Sequence, residues 1–255
     1  MSTTPVDVTT IAPLTHEEAM RLQTAELDRT LTVLRGLDRS DWAARTDCPA
    51  WDVRAMYQHV LGACEGGASM RENVHQLRAA RAHRKHYGGP LEAALSDVQV
   101  RERADLTPAE IVEGLSKIAP KTVRVRRRTP RLVRNHVKLA VDGPVHERWK
   151  LGYLIDTIYL RDLWMHRVDA ARALDQPLEL SADHDGRIIA DVVAEWARRH
   201  GKPFVLELTG PAGGTFAHAP SSEDTEHLRL DAVEFCRTLS GRTEATGLLA
   251  TIVPF

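Results

Sequence analysis

Between Glu147 and Leu174 the chain carries a helical rhythm with two ionisable residues set inside its apolar stripe. At about 100° per residue, Ile155, Ile158, Tyr159 and Leu163 share one side of the wheel, and Asp162 and His166 fall in the middle of that side. A carboxylate at the centre of a stripe that must be buried is costly without a partner. The imidazole one turn away can be that partner. Both can also be ligands of one ion, because i and i+4 side chains converge above a helix face. The wheel leaves the two readings open. Asp169, one turn beyond His166, either orients an imidazole nitrogen or pairs with Arg172 at i+3.

The rest of the first 174 residues also reads as helix. Thr15-His16-Glu17-Glu18 resembles a capping box, opening a helix that runs to Leu34. Gly36–Pro49 connects it to a second helix, N-capped by Asp52 and running to Cys64, which Gly66-Gly67 ends or bends. The stretch from Ala68 to Ala119 is mostly helical, with a break at Tyr87-Gly88-Gly89-Pro90 and a new start at Thr107-Pro108-Ala109-Glu110. The turn Val141-Asp142-Gly143-Pro144 then leads into the helix beginning at Glu147. Beyond Pro177 the texture changes. A helix from N-cap Ser181 to His200-Gly201 is followed by strands Phe204–Leu208 and Thr215–Ala219 around Gly210-Pro211-Ala212-Gly213-Gly214. A helix over Asp231–Leu239 and a closing strand Leu248–Phe255 complete the chain. The expectation is mainly α: an all-helical domain over residues 1–175 and a small α+β domain over 176–255.

Composition narrows the function classes. With 34 Lys and Arg against 35 Asp and Glu, the chain lacks the basic excess of a nucleic-acid binder. No run approaches the ~18 apolar residues of a membrane span, and Met1–Thr10 has no signal-peptide pattern, so a cytoplasmic protein is expected. Cys48, Cys64 and Cys236 form no CxxC pair and read as plain thiols. The run Arg124, Arg126, Arg127, Arg128, Arg131 and Arg134 reads as a solvated helix face, with anion binding as the lesser alternative. His83 and His86 read as surface residues. Phosphate-loop, nucleophile-elbow and dinucleotide motifs are absent.

His59 stands apart. Val53, Met56, Tyr57, Val60 and Cys64 mark the apolar face of the second helix, and His59 sits off its centre, where a flank or surface position is the natural reading. The wheel does not by itself make it a ligand.

Cys48-Pro49-Ala50-Trp51-Asp52-Val53-Arg54 followed by His59 resembles the first motif of the mycothiol-dependent maleylpyruvate isomerase family, one of the DinB-like bundles. Arg161-Asp162-Leu163-Trp164-Met165-His166-Arg167-Val168-Asp169 resembles its second motif. Phe235-Cys236-Arg237-Thr238-Leu239-Ser240-Gly241-Arg242 and the ending Val253-Pro254-Phe255 are similar to its C-terminal stretch. The resemblance implies a four-helix bundle followed by a small sterol-carrier-like domain, with a divalent metal, zinc by preference, on His59, Asp162 and His166. It also implies mycothiol, the low-molecular-weight thiol of actinobacteria, as cofactor or co-substrate. Two residues depart from the pattern: Asp162 stands where the family has Glu, and Ala50 where it has Gly.

Three protein ligands leave an open coordination position, and an open position on zinc favours a bound thiolate. Addition of that thiolate to an electrophilic small molecule, rotation and expulsion would give cis–trans isomerisation. Retention of the adduct would give S-transfer, from the same ligands. The alternative outside enzymes is a non-catalytic, metal-stabilised binding module, which a fourth protein ligand would betray. No catalytic residue beyond the metal ligands is expected, and no nucleic-acid or membrane partner; substrate and oligomeric state are open.

Overall fold

The computed structural model describes residues 4–142, 146–220 and 223–255. The chain divides into two compact units: one is Thr15–Gln176, and the other joins residues through Leu14 to Pro177–Phe255.

The first unit is built on helices α1 (His16–Arg35), α2 (Val53–Ala68), α3 (Met70–Tyr87), α4 (Leu91–Arg101), α5 (Pro108–Arg127), α6 (Arg131–His136), α7 (Leu151–Tyr153) and α8 (Tyr159–Ala173). A π-helical turn, Leu154–Ile158, joins α7 to α8. α1, α5, α2 and α8 pack side by side in that cyclic order, each against the next, as a four-helix bundle. Their apolar faces meet in one core holding Met20, Leu27, Leu31, Met56, Tyr57, Val60, Leu61, Ile111, Leu115, Ile155 and Leu163. α3 and α4 pack on each other and on α2.

Capping fixes where the long helices begin. The Thr15 hydroxyl accepts from the Glu18 N–H at 3.2 Å, and the Thr15 N–H donates back to the Glu18 carboxylate at 3.3 Å. Thr107 and Glu110 repeat the device at α5, with Pro108 in its first turn. At α2 the Asp52 carboxylate accepts from the Ala55 N–H at 2.8 Å.

Three local expectations are corrected. Residues Glu147–Lys150 are not the first turn of the long helix but a strand, β3, paired antiparallel with β2 (Lys138–Val141). Burial alternates along both strands, and helical spacing of apolar residues begins only at Leu151. Gly143 and Pro144 of the intervening turn lie outside the described residues. α5 does not stop near Ala119; it runs through Pro120 to Arg127, because Ala119, Thr122 and Val123 are buried in the bundle beyond the proline. α2 likewise continues past Gly66-Gly67 to Ala68.

The second unit holds a four-stranded sheet in the order β1 (Val6–Asp7), β5 (Gly214–His218), β4 (Phe204–Thr209), β6 (Glu226–Asp231). β4 and β5 form an antiparallel hairpin, while β6 lies parallel to β4 and β1 parallel to β5. The hairpin turn needs Gly213, where a Cβ would stand 2.1 Å from the Leu208 carbonyl oxygen. Helices α9 (Arg187–His200) and α10 (Ala232–Leu239) complete the unit, and in its core Trp196 packs edge to face on Phe235 and tilted on Phe204. The closing segment is not a strand. It forms a 3₁₀ turn, Gly247–Ala250, and the Val253 N–H donates to the Leu239 carbonyl at 3.1 Å, so Leu248 and Val253 are buried without strand pairing. The strands β1 and β6 went unforeseen. The pairing of β1 with β5 also places the first described residues with the C-terminal unit rather than with the bundle that a simple division at residue 175 would give. The architecture is mainly helical, with a small α+β part, as expected.

Candidate metal centre

The loop before α2 and the middle of α8 bring the site together. Ahead of α2 the chain turns tightly: the Trp51 N–H donates to the Cys48 carbonyl at 2.9 Å, and the Thr46 hydroxyl to the Trp51 carbonyl at 2.9 Å. This sets the Trp51 indole on the His59 imidazole, centroids 5.0 Å apart and planes 27° apart, and 6.2 Å from the His166 ring. His59 is buried, at 8% exposure, rather than on the surface that its position off the helix centre implied. The reason is the bundle, which covers the flank of α2 with α8.

On α8, Asp162 and His166 are neighbours one turn apart, with Oδ1 to Nε2 at 3.3 Å. The other Asp162 oxygen lies 4.0 Å from His59 Nε2. One ligand atom from each of His59, Asp162 and His166 can be chosen so that all lie within 4.8 Å of one another. Ligand atoms around a tetrahedral zinc stand about 3.3 Å apart, so small side-chain rotations suffice to close this set on an ion. His59 Nδ1 and both ring nitrogens of His166 are buried and make no hydrogen bond of normal geometry among the described residues. Such nitrogens are costly to leave unpaired and are suited to donating lone pairs to a cation. The donor set of two imidazoles and one carboxylate also suits a divalent transition ion. The residues present therefore fit a metal.

Electrostatics point the same way. Burial alone would raise the Asp162 carboxyl, but the imidazoles of His166 and then His59 outweigh it and hold the group well below the usual carboxylate range. Burial likewise pushes His166 down, while the charges of Asp162 and then Asp169 carry it up to about 9. The pocket thus concentrates negative potential on the imidazoles. The Asp162 side chain is 29% exposed, so the cluster opens to solvent on its side.

Behind His166, Asp169 is fully buried, with Oδ2 3.5 Å from His166 Nδ1. Arg172, the other partner expected for Asp169, has its Nε 3.1 Å from Asp47. Cys48, read from the sequence as a plain thiol, comes within 3.8 Å of the same Asp169 oxygen and groups with His166 and Asp169. Trp51 and Cys48 are the neighbours that residue-by-residue reading missed; their signal was their place in the Cys48–Arg54 motif. Away from the centre, His83 is half-buried and pairs with Asp97 of α4 at 3.1 Å, a partner distant in sequence. In the arginine run, Arg124, Arg127, Arg128 and Arg131 are exposed as expected, Arg134 pairs with Asp156 at 2.9 Å, and Arg126 is buried.

A four-helix bundle with a His/carboxylate cluster inside it, followed by a small α+β part, defines a class of two-part helical proteins. Within that class the chain belongs to the mycothiol maleylpyruvate isomerase N-terminal domain family, which matches residues 23–171. Two solved structures share its fold: the mycothiol-dependent maleylpyruvate isomerase and a histidine-to-alanine mutant of it. Each is 15% identical, covers 90% of either chain and superposes with a TM-score of 0.56. No curated protein matches the chain.

Proposed function

We propose that this protein is a metal-dependent enzyme that uses mycothiol as its thiol cofactor or co-substrate and adds it to a small electrophilic substrate. The observation that carries the reading is the convergence of His59, Asp162 and His166, with buried imidazole nitrogens that make no hydrogen bond of normal geometry among the described residues, on a side of the bundle that opens to solvent. Family membership supplies the thiol, and the similar isomerase supplies the model reaction, cis–trans isomerisation by reversible thiol addition.

In this reading His59, Asp162 and His166 would hold a divalent ion, zinc by preference, whose contribution is to favour a thiolate over a thiol near neutral pH. The residues around it do the rest. Asp169 Oδ2, 3.5 Å from His166 Nδ1, would accept that N–H and so fix Nε2 as the ligand atom, the usual task of a carboxylate behind a ligating histidine. Trp51 covers His59 and screens it from water. The half-exposed edge at Asp162 is the entry for thiol and substrate. Isomerisation and S-transfer need the same ligands, and they part only in whether the adduct collapses. A closed structural site would need a fourth ligand on the trio. Cys48 groups instead with Asp169 behind His166, which favours an enzyme over a metal-stabilised module.

Elemental analysis of protein purified without chelators and incubated with zinc tests the metal. Close to one ion per chain is expected, with most of it lost in His166→Ala; a metal-free wild type sinks the proposal. Turnover of electrophiles in the presence of mycothiol then tests the thiol. Product with unchanged composition means isomerase, and a stable thioether means S-transferase.

A further inference from the structure

The segment from Lys121 to Lys150 concentrates positive charge in a chain whose total is -1, holding ten Lys and Arg against two Asp and Glu. Both acids are engaged: Asp142 lies 2.7 Å from Arg84, and Glu147 accepts from the Trp149 indole N–H at 2.7 Å. Arg124, Arg127, Arg128 and Arg131 are exposed and meet no carboxylate among the described residues. The β2–β3 hairpin extends this field. Its register sets Lys138 opposite Lys150 and Ala140 opposite Arg148, and these four form its exposed face, while Leu139, Val141, Glu147 and Trp149 are more covered. Like charges directly opposite each other weaken a strand pair, so the hairpin gives up stability for a face of one sign.

The same segment leaves apolar side chains in water. Of the eight large hydrophobic residues exposed among the described residues, four are Val125, Leu132, Val133 and Val137, and Leu132 is 74% exposed. Leu132 and Val133 belong to α6, where Arg134 alone is not exposed. Arg134 holds the short helix down, its Nε donating to the Thr129 carbonyl at 3.2 Å and its Nη1 lying 2.9 Å from Asp156. The Leu151 N–H ties Val137 to the foot of the hairpin by donating to its carbonyl at 2.8 Å. Exposed aliphatic residues gathered in one short segment mark an interaction surface rather than ordinary scatter.

We infer that the end of α5, α6 and the exposed face of the β2–β3 hairpin form a docking surface for an anionic lipid bilayer. The cations meet the headgroup phosphates, and Leu132, Val133 and Val137 enter the boundary below them, the pairing of charge and apolar area by which peripheral proteins hold a membrane. No helix among the described residues is long and apolar enough to cross a bilayer, so the attachment is peripheral. A second copy of this chain is a poor occupant, because the same face would meet its own charge. Nucleic acid fits the cations but gives aliphatic side chains nothing to enter, and single strands are held by stacking on aromatic rings. The docking surface is independent of the metal centre.

The test is co-sedimentation of the full-length protein with vesicles of phosphatidylcholine alone and of phosphatidylcholine with about 30% phosphatidylglycerol. Binding is expected to the second and not the first, and to weaken as salt rises from about 0.1 M to about 0.5 M. Replacing Arg124, Arg128 and Arg131 together with glutamine should weaken binding at least about tenfold. Leu132→Ser changes no charge and should weaken it at least about fivefold, because the apolar contact is lost. All four positions are exposed, so both variants should keep the wild-type melting temperature. Equal binding to the two vesicles, no binding to either, or wild-type binding by either variant overturns the assignment. A mixed-sequence RNA is added as competitor. RNA that binds more tightly than the anionic vesicles, and equally well to Leu132→Ser, would make this a nucleic-acid surface and overturn the lipid assignment.

Discussion

The Trp51 indole lies nearly parallel on the His59 imidazole, 5.0 Å between ring centres, and Trp51 is carried by the loop that ends in the Asp52 cap of α2. One short segment therefore both starts the helix that presents His59 and clamps the ring it presents. Replacing Trp51 with alanine should leave the fold in place and weaken zinc binding by roughly 10- to 100-fold, the usual penalty for losing a group that orients a ligand. Competition with a chelator of known affinity measures this. Wild-type affinity in Trp51→Ala would show the stacking to be incidental.

Asp162 offers a second test. Its side chain is one methylene shorter than the glutamate of the family pattern, so an ion held by it must sit closer to α8. Asp162→Glu is expected to retain zinc at full occupancy while shifting thiol turnover, and Asp162→Ala should lose most of the metal. Equal metal content in Asp162→Ala and the wild type would remove Asp162 from the ligand set.

A pH effect follows from His200 at the end of α9. Burial, then the charges of His218 and Lys202, depress it to about 4 from an ordinary value of 6.5. The unfolded chain therefore binds a proton that the folded chain refuses between those values, and stability falls as pH drops from about 6.5 to about 4 and is unaffected by this group above that. His200 packs 4.3 Å from the Trp196 ring, so His200→Asn is expected to lower stability somewhat at pH 7 while flattening the acid side of the profile. Urea midpoints at about pH 7 and about pH 5 for both proteins give the comparison. Parallel profiles would contradict the assignment.

Pro120 is exposed in the interior of α5, where it supplies no N–H to the helix ladder. Its removal should cost no core packing. Pro120→Ala is expected to stabilise the bundle by about 1–3 kcal/mol, seen as a higher melting temperature. A lower one would mean that the proline shapes α5 in a way its packing partners require.

The sequence made the bundle legible because its signals are local. Thr15 with Glu18, Asp52, and Thr107 with Glu110 mark helix starts by side chains that reach the adjacent backbone, and all of them cap as read. The Asp162/His166 pair was visible for the same reason, since both share a turn. What stayed hidden depends on pairing at a distance. β2 and β3 satisfy each other's backbone across a turn, and β1 finds β5 some two hundred residues later. The burial of His59 is likewise set by α8, not by its own helix. Arg126 could not be told from its exposed neighbours in the arginine run, because only the packing of α2 and α8 decides which of them faces inward.

The pairing of β1 with β5 has a consequence for the order in which the chain can be completed. Val6–Asp7 leaves the ribosome some two hundred residues ahead of its partner, Phe216–Ala217. The bundle, Thr15–Gln176, is a closed loop between them and has its own core, so it can fold while the nascent chain still holds an unmatched strand at its front. Closing the sheet joins residues far apart in sequence and is the slow kind of contact to make. Until then the outer edge of β5 is open to any extended peptide, and among the described residues the strand that covers it is two residues long.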